Sequence, residues 1–176
     1  MGGAPKGLLA APDTGEPLVL RALRIARSLA LDVAVVGDAS PYHHLLGDAP
    51  VLDDERPRSG PLGGLCALLA WAAERPVIAL ACDLPYVTVD DLRALRDHPS
   101  DAAVVAARRS LEAPWEPLLA RYDAARVLPV ARGRLRRDER ALQGLLVDAG
   151  VVDAGLRAAA CDDWDTPEDV TRSRTP

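Results

Sequence analysis

Long apolar runs, an excess of basic charge and a cysteine framework are all lacking in this 176-residue sequence. No apolar stretch approaches the roughly 20 residues of a membrane span. The start also has no basic region followed by an apolar one, the pattern that would predict a secretory signal peptide. The formal net charge is −5, which disfavours non-specific binding to nucleic acid. The three cysteines are widely spaced, which fits neither a disulfide framework nor a zinc site, so we expect reduced thiols and a cytoplasmic protein. Neither nucleic acid nor a membrane is an expected partner.

Lysine is nearly absent too. Of the 21 basic residues 20 are arginine, and Lys6 is the only lysine. An ammonium is a compact point charge that reaches phosphate oxygens, and a planar guanidinium does not replace it equivalently. Lys6 is therefore either a retained phosphate ligand or the product of drift near the start of the sequence.

What the sequence does have is an alternation of apolar and amphipathic segments. With 49% hydrophobic and 27% charged residues, it is typical of one globular domain, which we assign to residues 1–176. Strands are predicted in "DVAVVGD", "APVLDDE", "VIALACDLP", "DAAVVAA" and "GVVDA", and helices in residues 16–29, 60–76, 88–98, 137–148 and 166–173. The stretch "EAPWEPLLARY" is ambiguous, because two prolines interrupt an apolar run. This alternation predicts an α/β fold with a mostly parallel sheet covered by helices on both faces.

Aspartates follow several of the predicted strands. Asp38, Asp53, Asp54 and Asp83 fall at carboxyl ends of strands, where ligands bind to parallel sheets. Asp83 ends the most continuous strand. Its carboxylate suits Mg²⁺ held together with substrate phosphates, and the alternative is that it only caps the following turn.

Two other segments place turns or acids before a helix. "GPLGGL", at residues 60–65, either lets backbone N–H groups approach a ligand at a helix start or is a plain tight turn. In "DDWDTPEDV" the aspartates are explained by helix capping and the helix dipole, with a second metal contact as the alternative.

Taken in order, eight segments resemble the successive motifs of the molybdenum cofactor guanylyltransferases over nearly the whole chain: "MGGAPKGLL", "GEPLVLRAL", "VAVVGD", "VLDDE", "GPLGGL", "ACDLPYV", "EPLLARY" and "DTPEDV". The resemblance implies a three-layer α/β/α Rossmann-like fold of the nucleotide-diphospho-sugar-transferase type. It also implies Mg²⁺-dependent transfer of GMP from GTP to the terminal phosphate of molybdopterin, with release of pyrophosphate. Transient contact with molybdoenzymes or their chaperones would follow from that role.

The resemblance also assigns roles to residues. Lys6 matches the family's lysine that steadies the triphosphate, and Asp83 matches its magnesium-binding aspartate, so both are expected to be catalytic. Asp54 matches an acid that contacts the nucleotide. The other nucleotide-binding residues implied are Gly37, Asp38, Gly60, Pro61, Leu62 and Gly63. Two departures stand out, because Gly37 and Asp38 occupy the place of a nucleotide-contacting asparagine, and Asp165 replaces the asparagine of the family's "NTP" element.

One family segment has no counterpart. In the family, a strand and a glycine-rich turn of the type "LAGGxSxR" precede "MGG", whereas this sequence begins at Met1. We therefore expect a slot in the sheet flanked by two unpaired edges. Either further residues precede Met1 in the natural protein, or the chain is a relative that no longer turns over GTP. Two other functions stay open: a cytidylyl- or other nucleotidyltransferase of the same fold, and a non-catalytic molybdopterin-binding or chaperone-like protein.

Overall fold

A computed structural model describes residues 5–164. Within this range, helices and strands follow one another in the order α1 (Leu18–Ser28), β1 (Val35–Val36), β2 (Val51–Leu52), α2 (Pro61–Ala72), β3 (Pro76–Leu80), α3 (Val89–Arg96), β4 (Val104–Arg108), β5 (Trp115–Asp123), α4 (Ala124–Arg136), α5 (Leu142–Ala149) and β6 (Val151–Asp153). Short 3₁₀ helices add Lys6–Leu8, Ser40–Leu45 and Ala158–Cys161. No helix in this range has the length and apolar character needed to cross a membrane. Asp165 and the predicted helix over 166–173 lie outside the described residues.

The strands form two sheets. β1 and β2 pair in parallel, and β3, β5, β4 and β6 form a four-stranded sheet in that order. β5 is antiparallel to both of its neighbours, whereas β4 and β6 are parallel. The four-stranded sheet is therefore mixed, where the sequence predicted a mostly parallel one. The difference arises because the segment joining β4 to β5 is too short for a parallel crossover and makes a hairpin.

The ambiguous stretch "EAPWEPLLARY" contains most of β5. Proline cannot donate to a strand ladder, so it is tolerated inside a sheet only at an irregularity. Pro117 lies at one: Ala106 pairs with Ala120, but Ala107 pairs with Glu116. The hydroxyl of Tyr122 donates to the Pro117 carbonyl at 2.7 Å. This bulge explains how a proline-containing run becomes a central strand.

Helices cover both faces of the four-stranded sheet, as predicted. One buried cluster joins α2, α4 and α5 to Val104 and Ala106 of β4, and the other joins α1 and α3 to Val105 and Ala107. The helix predicted over 137–148 is found only in its second half, as α5. α4 was missed, because its many arginines and Pro129 obscure the apolar stripe; Asp123 caps this helix by accepting a hydrogen bond from the Arg126 N–H at 3.1 Å.

A cleft separates the two sheets. Among the described residues, β1 pairs only with β2, and β3 pairs only with β5. Between their unpaired edges lies a cavity of about 900 Å³, lined by residues from β1, β3, α1 and α2. The cleft matches the slot that the sequence predicted, whereas β1 and β2 are only two residues each, although longer strands were expected there.

Candidate active site

Lys6 contacts Asp83, and Asp83 is one of the residues that line this cleft. Asp83 follows β3, and Lys6 begins a 3₁₀ helix whose Leu8 N–H donates to the Pro5 carbonyl at 2.9 Å. The Lys6 Nζ lies 2.8 Å from the Asp83 Oδ2, with side chains 33% and 23% exposed. The next residue, Gly7, is required by close packing, because a Cβ there would lie 2.9 Å from Cε1 of Tyr42. Two residues 77 positions apart are thus held together where solvent and a ligand can reach both.

The segment "GPLGGL" opens α2. Gly60 precedes the helix with φ of +62°, and Pro61 is its first residue. Gly63 and Gly64 are both buried. A Cβ on Gly63 would lie 2.8 Å from Cβ of Ser59, and one on Gly64 would lie 2.8 Å from Cγ1 of Val36. The glycines therefore let the helix start pack closely against β1 and the loop after β2.

The structure brings most of the predicted nucleotide-binding residues to one cavity. Its lining includes Gly37, Asp38, Asp54, Gly60, Pro61 and Asp83. Leu62 and Gly63 are not part of this lining. The Leu62 side chain is fully buried in the core, and the Gly63 N–H donates to the Gly60 carbonyl at 3.0 Å. A ligand contact through either of these two groups is therefore not favoured by the geometry.

Asp38 and Asp54 differ in what they do locally. The Asp38 Oδ1 accepts hydrogen bonds from the Ser40 hydroxyl at 2.5 Å and from its N–H at 3.0 Å. These bonds lower the pKa of Asp38 and fix it at the start of a 3₁₀ helix, which is a structural role. Asp54 is half-buried, and a Cβ on Gly64 would lie 3.2 Å from its Oδ1. Asp54 therefore lies beside the glycine segment at the cavity wall.

Sequence reasoning gave no role to Glu116, which lies on the same edge of the sheet. Burial raises the pKa of Glu116, Asp163 and Asp83 raise it further, and Arg109 opposes them. The segment that follows β6 also reaches this edge, because the N–H of the buried Trp164 donates to the Asp83 carbonyl at 3.0 Å. Glu116 is the first residue of the motif "EPLLARY", but it comes to this edge only because β5 is antiparallel to its neighbours.

The donor groups here are carboxylate oxygens, which suit Mg²⁺. Within residues 5–164, no group of three or more His, Cys, Asp or Glu side chains could hold a metal ion. Asp83 could supply one hard oxygen ligand, and Mg²⁺ ordinarily completes its shell with substrate phosphates and water. The residues present therefore fit a metal that arrives with a nucleotide, and not one caged by protein alone.

The cysteines play no evident chemical part. Cys66, Cys82 and Cys161 form no disulfides, as predicted. Burial raises the pKa of Cys66 and of Cys161 to about 11, and it also raises the pKa of Cys82. These thiols stay protonated near neutral pH, so none is an activated nucleophile.

Comparison with known proteins agrees with this geometry. The sequence model of the MobA-like NTP transferase domain matches residues 1–149. A molybdenum cofactor guanylyltransferase of Pseudomonas putida (strain GB-1) is 33% identical over 169 residues, covering 94% of this chain and 82% of that protein. One from Pseudomonas fluorescens (strain SBW25) is 34% identical over 128 residues, covering 68% and 59%. The fold is shared with molybdopterin-guanine dinucleotide biosynthesis protein A from Archaeoglobus fulgidus, at a TM-score of 0.75 and 18% identity, covering 97% and 89%.

Proposed function

Because this chain belongs to the MobA-like NTP transferase domain family, we propose that it transfers GMP from GTP to the terminal phosphate of molybdopterin and releases pyrophosphate. The observation that carries the proposal is the Lys6–Asp83 pair, with 2.8 Å between Nζ and Oδ2. It lies at the carboxyl end of β3, where α/β sheets bind ligands. An ammonium and a carboxylate held side by side suit a substrate that arrives as a metal–triphosphate complex.

Each member of the pair has its own task. Asp83 would hold the Mg²⁺, which supplies charge neutralisation for the phosphates and the leaving pyrophosphate. The Lys6 ammonium, released from Asp83 when the metal binds there, would contact the triphosphate oxygens. Nucleotidyl transfer needs mainly positioning and charge stabilisation from a protein, and these two side chains provide both without forming a covalent intermediate.

The nucleoside would lie toward the β1–β2 sheet. Asp54, Gly60 and Pro61 line the cavity on that side, and the start of α2 offers a favourable electrostatic environment for phosphate. Gly37 also lines the cavity, with a φ of +91° that favours glycine. Base identity is tested by comparing GTP with CTP in a binding titration, since guanine specificity requires tighter binding of GTP.

The described cysteines are free, and we place the reaction in the cytoplasm, where unpaired cysteines stay reduced. Handing the product to a molybdoenzyme or its chaperone would require a transient protein contact. That contact belongs to the proposal and can be tested by co-purification with a molybdoenzyme.

The decisive experiment measures pyrophosphate release from GTP with Mg²⁺ and molybdopterin. We expect Asp83→Asn to lower kcat by at least about a hundredfold, as loss of a charge-stabilising group does. Lys6→Arg should lower it too, because a guanidinium fork does not reproduce the ammonium's contacts.

The control is Asp90→Asn, which removes a carboxylate from the exposed face of α3 and should leave kcat unchanged. Turnover by the Asp83→Asn protein at the rate of the control would contradict the metal-binding role. An inactive wild-type protein that binds GTP would contradict the reaction itself.

A further inference from the structure

The strand ends that carry Asp83 form one edge of the four-stranded sheet, and a second charged group, Arg109, lies farther along this edge. β4 ends and β5 begins at this edge, because the two strands are antiparallel. Arg109 directly follows β4, and Glu116 lies opposite Ala107 at the start of β5. Residues 161–164 close over them, with the Arg109 Nη2 2.5 Å from Asp162 Oδ1. The edge therefore carries an arginine on the far side of Glu116 from Asp83.

Of the two neighbouring arginines, only Arg109 is available to a ligand. Arg108 turns to the opposite face, where its guanidinium lies 4.4 Å from the centre of the Trp115 ring. Its Nε donates to Asp153 at 2.7 Å, and its Nη1 donates to the Leu111 carbonyl at 2.8 Å. The Arg108 side chain is 19% exposed, whereas that of Arg109 is 55% exposed.

The described contacts of Arg109 are made by one end of its guanidinium, the Nη2 group. Its Nη2 donates to the Cys161 carbonyl at a long 3.4 Å. The Asp162 Oδ1 is close to Arg109 but is buried without a well-directed hydrogen bond. Asp162 therefore keeps its partner and holds the arginine in place, while the exposed part of the guanidinium is left to bind an incoming anion.

The negative charge of the acceptor substrate explains why a cation is needed beside Glu116. In an in-line transfer, the acceptor reaches the α-phosphorus from the side opposite the departing pyrophosphate. The acceptor end is a phosphate monoester, which is anionic at neutral pH. With Asp83 occupied by the metal, the Glu116 carboxylate at the start of β5 would still repel it. A guanidinium both offsets that charge and grips a phosphate through two parallel hydrogen bonds.

We propose that Arg109 binds the phosphate monoester of the acceptor and aims it at the α-phosphorus of the nucleotide. This inference rests on the proposed function. Arginines of the other arginine-rich segment, residues 132–140, already form ion pairs with Glu55, Asp138, Glu139 and Asp148. Arg109 therefore sets the affinity for the acceptor and not the affinity for GTP.

The test separates the two substrates. Steady-state kinetics on the full chain, with Mg²⁺, give KM for molybdopterin and for GTP in the wild type, Arg109→Gln and Arg109→Lys. We expect Arg109→Gln to raise KM for molybdopterin about tenfold to a hundredfold while KM for GTP changes less than about twofold. Arg109→Lys should recover part of the loss, because it restores the charge without the fork. Arg93→Gln, which removes an exposed arginine from α3, is the control and should match the wild type.

A titration of molybdopterin into the nucleotide-free protein gives a second readout that needs no turnover. Weaker binding by Arg109→Gln than by Arg93→Gln supports the assignment even if the wild type transfers nothing, in which case only the proposed reaction fails. Equal molybdopterin affinity in the two variants overturns the role of Arg109, and so does an equal rise of both KM values, which would indicate a general structural effect. A wild-type protein that does not bind molybdopterin overturns it as well.

Discussion

Replacing Gly64 by alanine tests the close packing that builds the nucleotide side of the site. The added Cβ would lie 2.8 Å from Cγ1 of Val36 and 3.2 Å from Oδ1 of Asp54, so β1 or the loop after β2 must shift. Overpacking of this kind costs about 1–3 kcal/mol, while alanine gains about 1 kcal/mol over glycine inside a helix. We therefore expect Gly64→Ala to lower the free energy of unfolding by up to about 2 kcal/mol.

Gly133 provides the matched control. It lies inside α4, and the nearest atoms to an added Cβ are flexible arginine ends, at 3.6 Å and 3.8 Å. Gly133→Ala should raise the free energy of unfolding by about 0.5–1 kcal/mol. The assay is urea denaturation of both variants, followed by titration with GTP, whose affinity should fall only in Gly64→Ala. A Gly64→Ala protein as stabilised as Gly133→Ala, with unaltered GTP affinity, would refute the packing described for the start of α2.

Two smaller changes test the frame around the site. Thr88 caps α3, since its hydroxyl accepts from the Asp91 N–H at 3.3 Å and its own N–H donates to the Asp91 carboxylate at 2.8 Å. Thr88→Ala should cost about 1 kcal/mol of unfolding free energy in urea, whereas Thr88→Ser should cost little. Burial disfavours ionisation of Asp153, but the Gly155 N–H and then Arg108 outweigh it and lower its pKa. Its contribution to stability is therefore complete above about pH 4 and is lost as the pH falls further. In Asp153→Asn, the free energy of unfolding should fall less steeply as the pH drops below about pH 4. The same pH dependence as in the wild type would show that the ion pair contributes nothing.

Local signals allowed much of the fold to be predicted. β3 and β4 are apolar runs long enough to be recognised, and α3 carries its own capping box at Thr88. Lys6 and Asp83 were expected to lie close together, and in the structure Lys6 Nζ is 2.8 Å from Asp83 Oδ2. Such features depend on residues close in sequence, or on the rule that ligands gather at the carboxyl ends of strands.

The rest depended on contacts between distant segments. Pro117 made a central strand an unexpected assignment, and the proline is tolerated there only because β5 pairs irregularly with β4 at this point. Glu116 and Arg109 come to one edge only because that hairpin is antiparallel, and Asp162 reaches Arg109 only after the chain has passed through β6. No short stretch of sequence contains this information.

The divided sheet has a mechanical consequence. Asp54 belongs to the β1–β2 half and Asp83 to the four-stranded half, and across the cleft the described strands share no ladder of backbone hydrogen bonds. The packing of α1 and α2 and side-chain contacts such as the Arg132–Glu55 ion pair couple the two parts, so their spacing is softer than in a continuous sheet. A nucleotide that contacts both aspartates would link the two sheets, and its binding should reduce their relative motion well beyond the atoms that it contacts.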